Sequence, residues 1–166
     1  MKLILYIIFF GGLFAQSIDD DLNEKFINSL VDDLNRQKNN SVIKKIDDSN
    51  ILDTKYASHA RVIKLKAYYN LKDFEAALNF AKKMNYISLS PHLKTSFDLI
   101  MGDIYSSRGF YNFAFKHYID ARRSNEDSRS KRSINKRLAK IIPLNLDYEN
   151  LQIMEILEED NTNLNI

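Results

Sequence analysis

Apolar side chains recur at helical spacing along most of the chain. Leu22, Phe26, Leu30 and Leu34, for example, follow one another at four-residue steps, which places them on one face of an α-helix. The pattern predicts helices over about 20–37, 41–48, 54–70, 74–84, 91–107, 111–124 and 126–142, and a last one from about 147 to 157. Only four glycines and two prolines interrupt the chain, which favours an all-α fold.

The first 17 residues have a different pattern. Lys2 precedes an uncharged apolar run from Leu3 to Phe14, and small residues follow at Ala15 and Ser17. This order is typical of a secretory signal peptide, with cleavage after Ala15 or after Ser17. An uncleaved N-terminal anchor and a buried core segment are the alternatives. The run is short for a membrane-spanning helix, which needs roughly 20 apolar residues.

Two segments of the chain match each other 37 residues apart. The first contains Leu65, Tyr68, Asp73, Phe74, Ala77 and Ala81, and the second contains Gly102, Tyr105, Phe110, Tyr111, Ala114 and Tyr118. Each predicts a helical hairpin, with the second turning at Gly109, where a positive φ is expected. Small residues such as Gly102 and Ala114 would let two helices approach closely. A helical hairpin that repeats near this period indicates an α-solenoid.

The second segment resembles the tetratricopeptide repeat family. The resemblance rests on small and aromatic residues at the family's spacing: Gly102, Tyr105, Gly109, Tyr111, Ala114, Tyr118 and Ala121. The first segment departs from the pattern, because Lys72 stands at the turn glycine and Leu65 at a small position. The resemblance implies an α-solenoid of antiparallel helical hairpins with C-terminal capping helices. An unrelated helical bundle is the alternative.

On this interpretation the chain has a signal peptide at 1–17, a repeat domain at 18–157 and a flexible tail at 158–166. The repeat domain comprises a degenerate repeat at 20–50, repeats at 54–90 and 91–124, and capping helices at 126–157. The chain is also loosely similar to the helical N-terminal region of penicillin-binding protein activators and periplasmic solute receptors. It is therefore expected to be either an exported scaffold of the bacterial periplasm or envelope, or the accessory module of such a receptor or activator.

Tetratricopeptide repeats bind partners in a groove lined by the first helix of each hairpin. The resemblance places nine residues at this partner-binding groove: His59, Val62, Lys66, Tyr69, Asn70, Leu99, Asp103, Ser106 and Ser107. It implies a protein or peptide partner of unknown identity. The family's carboxylate-binding clamp of Lys, Asn and Arg is missing, so chaperone C-terminal tails are not the expected ligand.

The predicted helix at 126–142 is strongly basic. Arg129, Arg132, Lys136 and Arg137 form a candidate patch for an acidic partner. Three alternatives stay open for this face: a solvated capping helix, contact with anionic lipid headgroups, and cover by the acidic last helix. Membrane contact is expected only here or through an uncleaved N-terminus. Nucleic acid is not expected, since export would remove the chain from it and no interleaved aromatic residues offer base stacking.

Composition argues against the common catalytic and metal sites. There is no cysteine, which excludes disulfides, thiolate metal sites and a cysteine nucleophile. His59, His92 and His117 lack metal-ligand spacing, and no Gly-rich phosphate loop occurs. The formal net charge is only +2, so the whole chain has no strong bias toward polyanions. We therefore expect no enzyme activity, no metal and no cofactor.

Overall fold

The computed structural model describes residues 20–125 and 127–143, and within them the fold is all-α, with no β-strand. The predicted signal peptide, the predicted helix at 147–157 and the tail at 158–166 lie outside the described residues. The helices are α1 (20–35), α2 (Asn39–Asp47), α3 (Ala57–Asn70), α4 (Phe74–Ala81), α5 (Pro91–Ser107), α6 (Tyr111–Arg123) and α7 (Ser128–Ile141). Short 3₁₀ turns precede α3 and α5, at Ile51–Asp53 and Tyr86–Ser88.

The same turn recurs after α1, α3 and α5. Gln37, Lys72 and Gly109 have φ values of 59°, 59° and 78°, in the left-handed region. In each turn this residue donates its N–H to the carbonyl three residues back, and the next residue donates to the carbonyl five residues back. These two bonds define a Schellman motif, which ends a helix and satisfies its last carbonyls. The positive φ predicted at Gly109 is confirmed, and Lys72 adopts it without being glycine.

Helix starts differ from the predictions at two places. The second helix is predicted from residue 41, but α2 already begins at Asn39, because the left-handed turn at Gln37 returns the chain directly into a helix. Helix α3 begins at Ala57 rather than near Thr54. Thr54 is extended, and its hydroxyl donates to the Ile51 carbonyl and accepts from the Tyr56 N–H. These local bonds compete with the helix and delay its start.

The chain divides between Asp73 and Phe74 into two units, and this boundary falls inside the predicted repeat at 54–90. The first unit has an aliphatic core from α1, α2, the 3₁₀ turn and α3. Its buried members are Ile27, Leu30, Val42, Ile46, Ile51, Ala60 and Ala67. Polar contacts lie around this core: the buried Lys64 pairs with Asp47 of α2, and Asn70 donates to the buried Asn39 at 3.1 Å.

The second unit is built from α4 to α7. Its described core cluster combines rings and small residues of α6 with an aliphatic stripe of α7: Ala114, Phe115, Tyr118, Ile119, Ala121, Ile134, Leu138 and Ile141. Pro91 occupies the first turn of α5, where its missing N–H costs no hydrogen bond. Asp127 caps α7 by accepting from the Ser130 N–H at 2.7 Å.

Gly102 fixes how closely α5 and α6 approach. A Cβ atom built on Gly102 would lie 2.4 Å from Cε1 and 2.6 Å from Cδ1 of Tyr118. Because the Tyr118 ring is only 2% exposed, it has no room to move aside. The close approach predicted from Gly102 is therefore confirmed for this helix pair.

Candidate functional site

The groove residues predicted on α3 differ in exposure. His59 and Asn70 are exposed and Lys66 and Tyr69 are half-buried, whereas Val62 is 6% exposed and belongs to the core. Val62 therefore does not present its side chain to a partner. The Lys66 ammonium lies 4.3 Å from the centre of the Tyr69 ring, a cation–π distance. Lys66 and Tyr69 thus contact each other on one face of α3, about one turn apart.

The groove residues predicted on α5 are largely engaged with other helices of the second unit. The Asp103 carboxylate accepts a hydrogen bond from the Tyr118 hydroxyl at 2.8 Å and pairs with the Arg137 guanidinium at 2.9 Å. Burial and the Asp103 charge raise the pKa of the Tyr118 phenol. Leu99 packs against the core cluster, and the Ser107 hydroxyl donates to the Asp103 carbonyl at 2.8 Å. On this helix Ser106, half-buried, and Ser107, exposed, remain nearest to solvent.

The basic residues predicted on α7 separate into two groups. Arg137 points toward α5 and binds Asp103 through two of its nitrogens, at 2.9 and 3.4 Å. Arg129, Arg132 and Lys136 are exposed. One residue from the predicted acidic-partner patch and one from the predicted groove therefore form a pair within the fold, which sequence spacing did not indicate.

A buried carboxylate on α5 forms a cluster that the sequence did not predict. Asp98 is 1% exposed, and its two oxygens bind different partners. The Tyr86 hydroxyl donates to Oδ2 at 2.6 Å, and His117 Nδ1 lies 2.9 Å from Oδ1. Burial and the bond to Asp98 raise the pKa of Tyr86, and burial with the nearby Asp98 charge raises the pKa of Asp120. The one signal in the sequence is an acid inside the apolar run from Phe97 to Ile100.

Aromatic rings form a second unpredicted feature, at the start of α6. The Tyr105 ring stacks between Phe113 at 5.4 Å and His117 at 5.5 Å, and Phe110 meets Tyr105 and Phe113 edge to face. Phe110 and Phe113 are 47% and 58% exposed. Large exposed rings beside a half-buried tyrosine are typical of protein-binding surfaces.

The described residues offer no metal site, because no group of three or more His, Asp or Glu side chains converges among them. Between residues 20 and 143, leaving out 126, no helix is long and apolar enough to cross a bilayer. Both carboxylate oxygens of Asp98 are bound within the fold, one by Tyr86 and one by His117.

No protein-family model matches this chain, and no curated protein or solved structure is significantly similar to it.

Proposed function

We propose that this chain is an exported, non-catalytic scaffold of the tetratricopeptide-like class, which binds a protein or peptide in the bacterial cell envelope. The recurring turn carries this proposal. The same two hydrogen bonds and a positive φ occur at Gln37, Lys72 and Gly109, at separations of 35 (72 − 37) and 37 (109 − 72) residues. Three helices thus end in the same turn, and the spacing of these turns is close to the repeat of about 34 residues in the family. This supports a series of helical hairpins.

Such hairpins supply binding surface because the first helix of each is only partly covered by its neighbours. On α3 this surface would contain His59 and the Lys66–Tyr69 pair, which offer an ammonium and a ring side by side. In the second unit, taken by itself, α5 would offer Ser106 and Ser107, since Asp103 is already bound to Tyr118 and Arg137. The Lys66–Tyr69 pair is the best anchor on this surface, because tyrosine is enriched among the residues that dominate binding energy at protein interfaces, and the Lys66 ammonium lies against its ring.

Photo-crosslinking tests the groove assignment. A photoreactive amino acid replaces His59 in one variant and the exposed Asn79 of α4 in a control. In envelope extracts we expect one discrete adduct at position 59 and none at position 79. The K66A/Y69A variant should lower the yield of this adduct about tenfold, because it removes both members of the anchor. Equal adducts at 59 and 79, or an unchanged yield in the double variant, would contradict the assignment.

The export part of the proposal rests on the apolar run after Lys2 and on the small residues Ala15 and Ser17. Intact-mass measurement of the protein recovered from the cell envelope tests it. We expect a chain that begins at Gln16 or at Ile18. A retained Met1 would contradict processing and would leave the uncleaved anchor as the interpretation.

A further inference from the structure

Helix α7 carries a line of cations on the face opposite its core contacts. Ile134, Leu138 and Ile141 are buried, whereas four basic residues are exposed: Arg129, Arg132, Lys136 and Lys140. Residues seven and eleven positions after Arg129 return to nearly the same direction on a helix, and Arg132 lies to one side. The four therefore form a stripe about 16 Å long at 1.5 Å per residue. We call it the cationic stripe.

The cationic stripe has no charge partner within residues 20–125 and 127–143. The ion pair that α7 does make there, Arg137 with Asp103, uses a side chain on the flank of the helix. Helix α7 contains no acidic and no aromatic residue from Ser128 to Ile141. Four neighbouring positive charges repel one another, so the stripe lowers its free energy when it meets a surface of negative charge.

The side chains on and around the cationic stripe indicate which kind of anionic partner it suits. A peptide partner needs a pocket or a ring to hold an anchor residue, and a single-stranded nucleic acid needs rings for stacking. The stripe offers neither, because between its cations the exposed face carries only the small or polar Ser133, Asn135 and Ala139. A lipid bilayer needs only charge, and each Lys or Arg near an anionic surface strengthens binding independently.

We propose that the cationic stripe of α7 binds the surface of an anionic lipid bilayer. The long Arg and Lys side chains would reach phosphate headgroups while Ile134, Leu138 and Ile141 stay in the core. The contact is peripheral and electrostatic. It uses none of the residues of the proposed partner-binding groove.

Vesicle co-sedimentation of the full chain tests the proposal, with vesicles of phosphatidylcholine alone and with about 30% phosphatidylglycerol added. We expect stronger binding to the anionic vesicles, and binding that weakens as salt is raised. The variant R129Q/R132Q/K136Q/K140Q should lose roughly tenfold or more of this affinity. The matched control K44Q/K82Q/K83Q/K116Q removes the same charge from exposed sites elsewhere and should stay within about threefold of the wild type.

A fluorescent label separates the stripe from any contribution of the apolar N-terminus. The chain has no cysteine, so A139C beside the stripe and N79C on α4 each give a single attachment point. Anionic vesicles should change the emission at 139 and leave it unchanged at 79. No response at 139, equal responses at both sites, or equal losses in the two quadruple variants would overturn the proposal. Binding to polyglutamate without a response to vesicles would also overturn it and would assign the stripe to an acidic polypeptide.

Discussion

The core of the first unit is aliphatic, whereas the core of the second unit combines aromatic rings and small residues. In the first unit, Asp33 pairs with Lys45 at 2.6 Å, and the side chain of Lys45 is 43% exposed. In the second unit, Asp98 is 1% exposed and Asp103 is held by Tyr118 and Arg137. Asp33 is itself only 9% exposed, so the units differ in the partners of their carboxylates. The partner Lys45 lies near solvent, whereas the partners of Asp98 and Asp103 are half-buried or buried. Since a buried charge depends on its partners, the second unit should be the more sensitive to single substitutions.

Asp98→Ala should lower the free energy of unfolding more than any other substitution proposed below. It leaves the half-buried Tyr86 hydroxyl and the His117 ring without their acceptor, and we expect a loss of about 3 kcal/mol in the free energy of unfolding. Urea unfolding followed by circular dichroism measures the loss, and hydrogen exchange in α5 locates it. Asp33→Ala is the matched control in the first unit and should cost clearly less, because its Lys45 partner can return to water. Equal losses would contradict the contrast between the units.

Gly102→Ala should cause the second largest loss of stability. The new methyl group would overlap the Tyr118 ring, and overpacking of this kind costs about 2 kcal/mol. A double variant tests whether side-chain volume couples the two positions. In the first segment, Leu65 and Ala81 stand 37 residues before Gly102 and Tyr118, with the large and the small residue exchanged. G102L/Y118A should be more stable than G102L alone, although Asp103 loses a hydrogen bond. A double variant no better than G102L would show that volume is not what couples these positions.

Alkaline pH should weaken the second unit through two of its phenols, the half-buried Tyr86 and the buried Tyr118. The folded-state pKa values of Tyr86 and Tyr118 are raised above the ordinary value of 10.0. A tyrosine whose pKa is higher in the folded than in the unfolded state contributes stability that is fully present below pH 10. This stability is lost as the pH rises toward the folded-state pKa. Stability measured at a series of pH values should fall above pH 10, and the fall should be shallower in Y86F/Y118F. An identical slope in the variant would contradict this origin.

Local features of the fold could be predicted from the sequence, and contacts between distant helices could not. Helix positions follow from apolar spacing, and the turn at Gly109 follows from glycine itself. Lys72 gives no such signal, because lysine seldom adopts a positive φ. The pair of Asp98 and His117 joins residues 19 positions apart, and the pair of Asp103 and Arg137 joins residues 34 apart. Which side chains meet over such separations depends on how α5 packs against α6 and α7, and the pattern of one helix does not contain that information.

The smallest expected effects lie at the turns, where the first unit has Lys72 and the second has Gly109 at a left-handed backbone position. Lys72 has a φ of 59°, which costs a residue with a Cβ about 1 kcal/mol relative to glycine. Lys72→Gly should therefore raise the free energy of unfolding by up to that amount. Gly109→Ala should lower it by about 1 kcal/mol through backbone strain alone, since nothing lies within 4 Å of the added Cβ. Thermal unfolding of both variants measures the two shifts, and shifts of the same sign would contradict a shared left-handed turn.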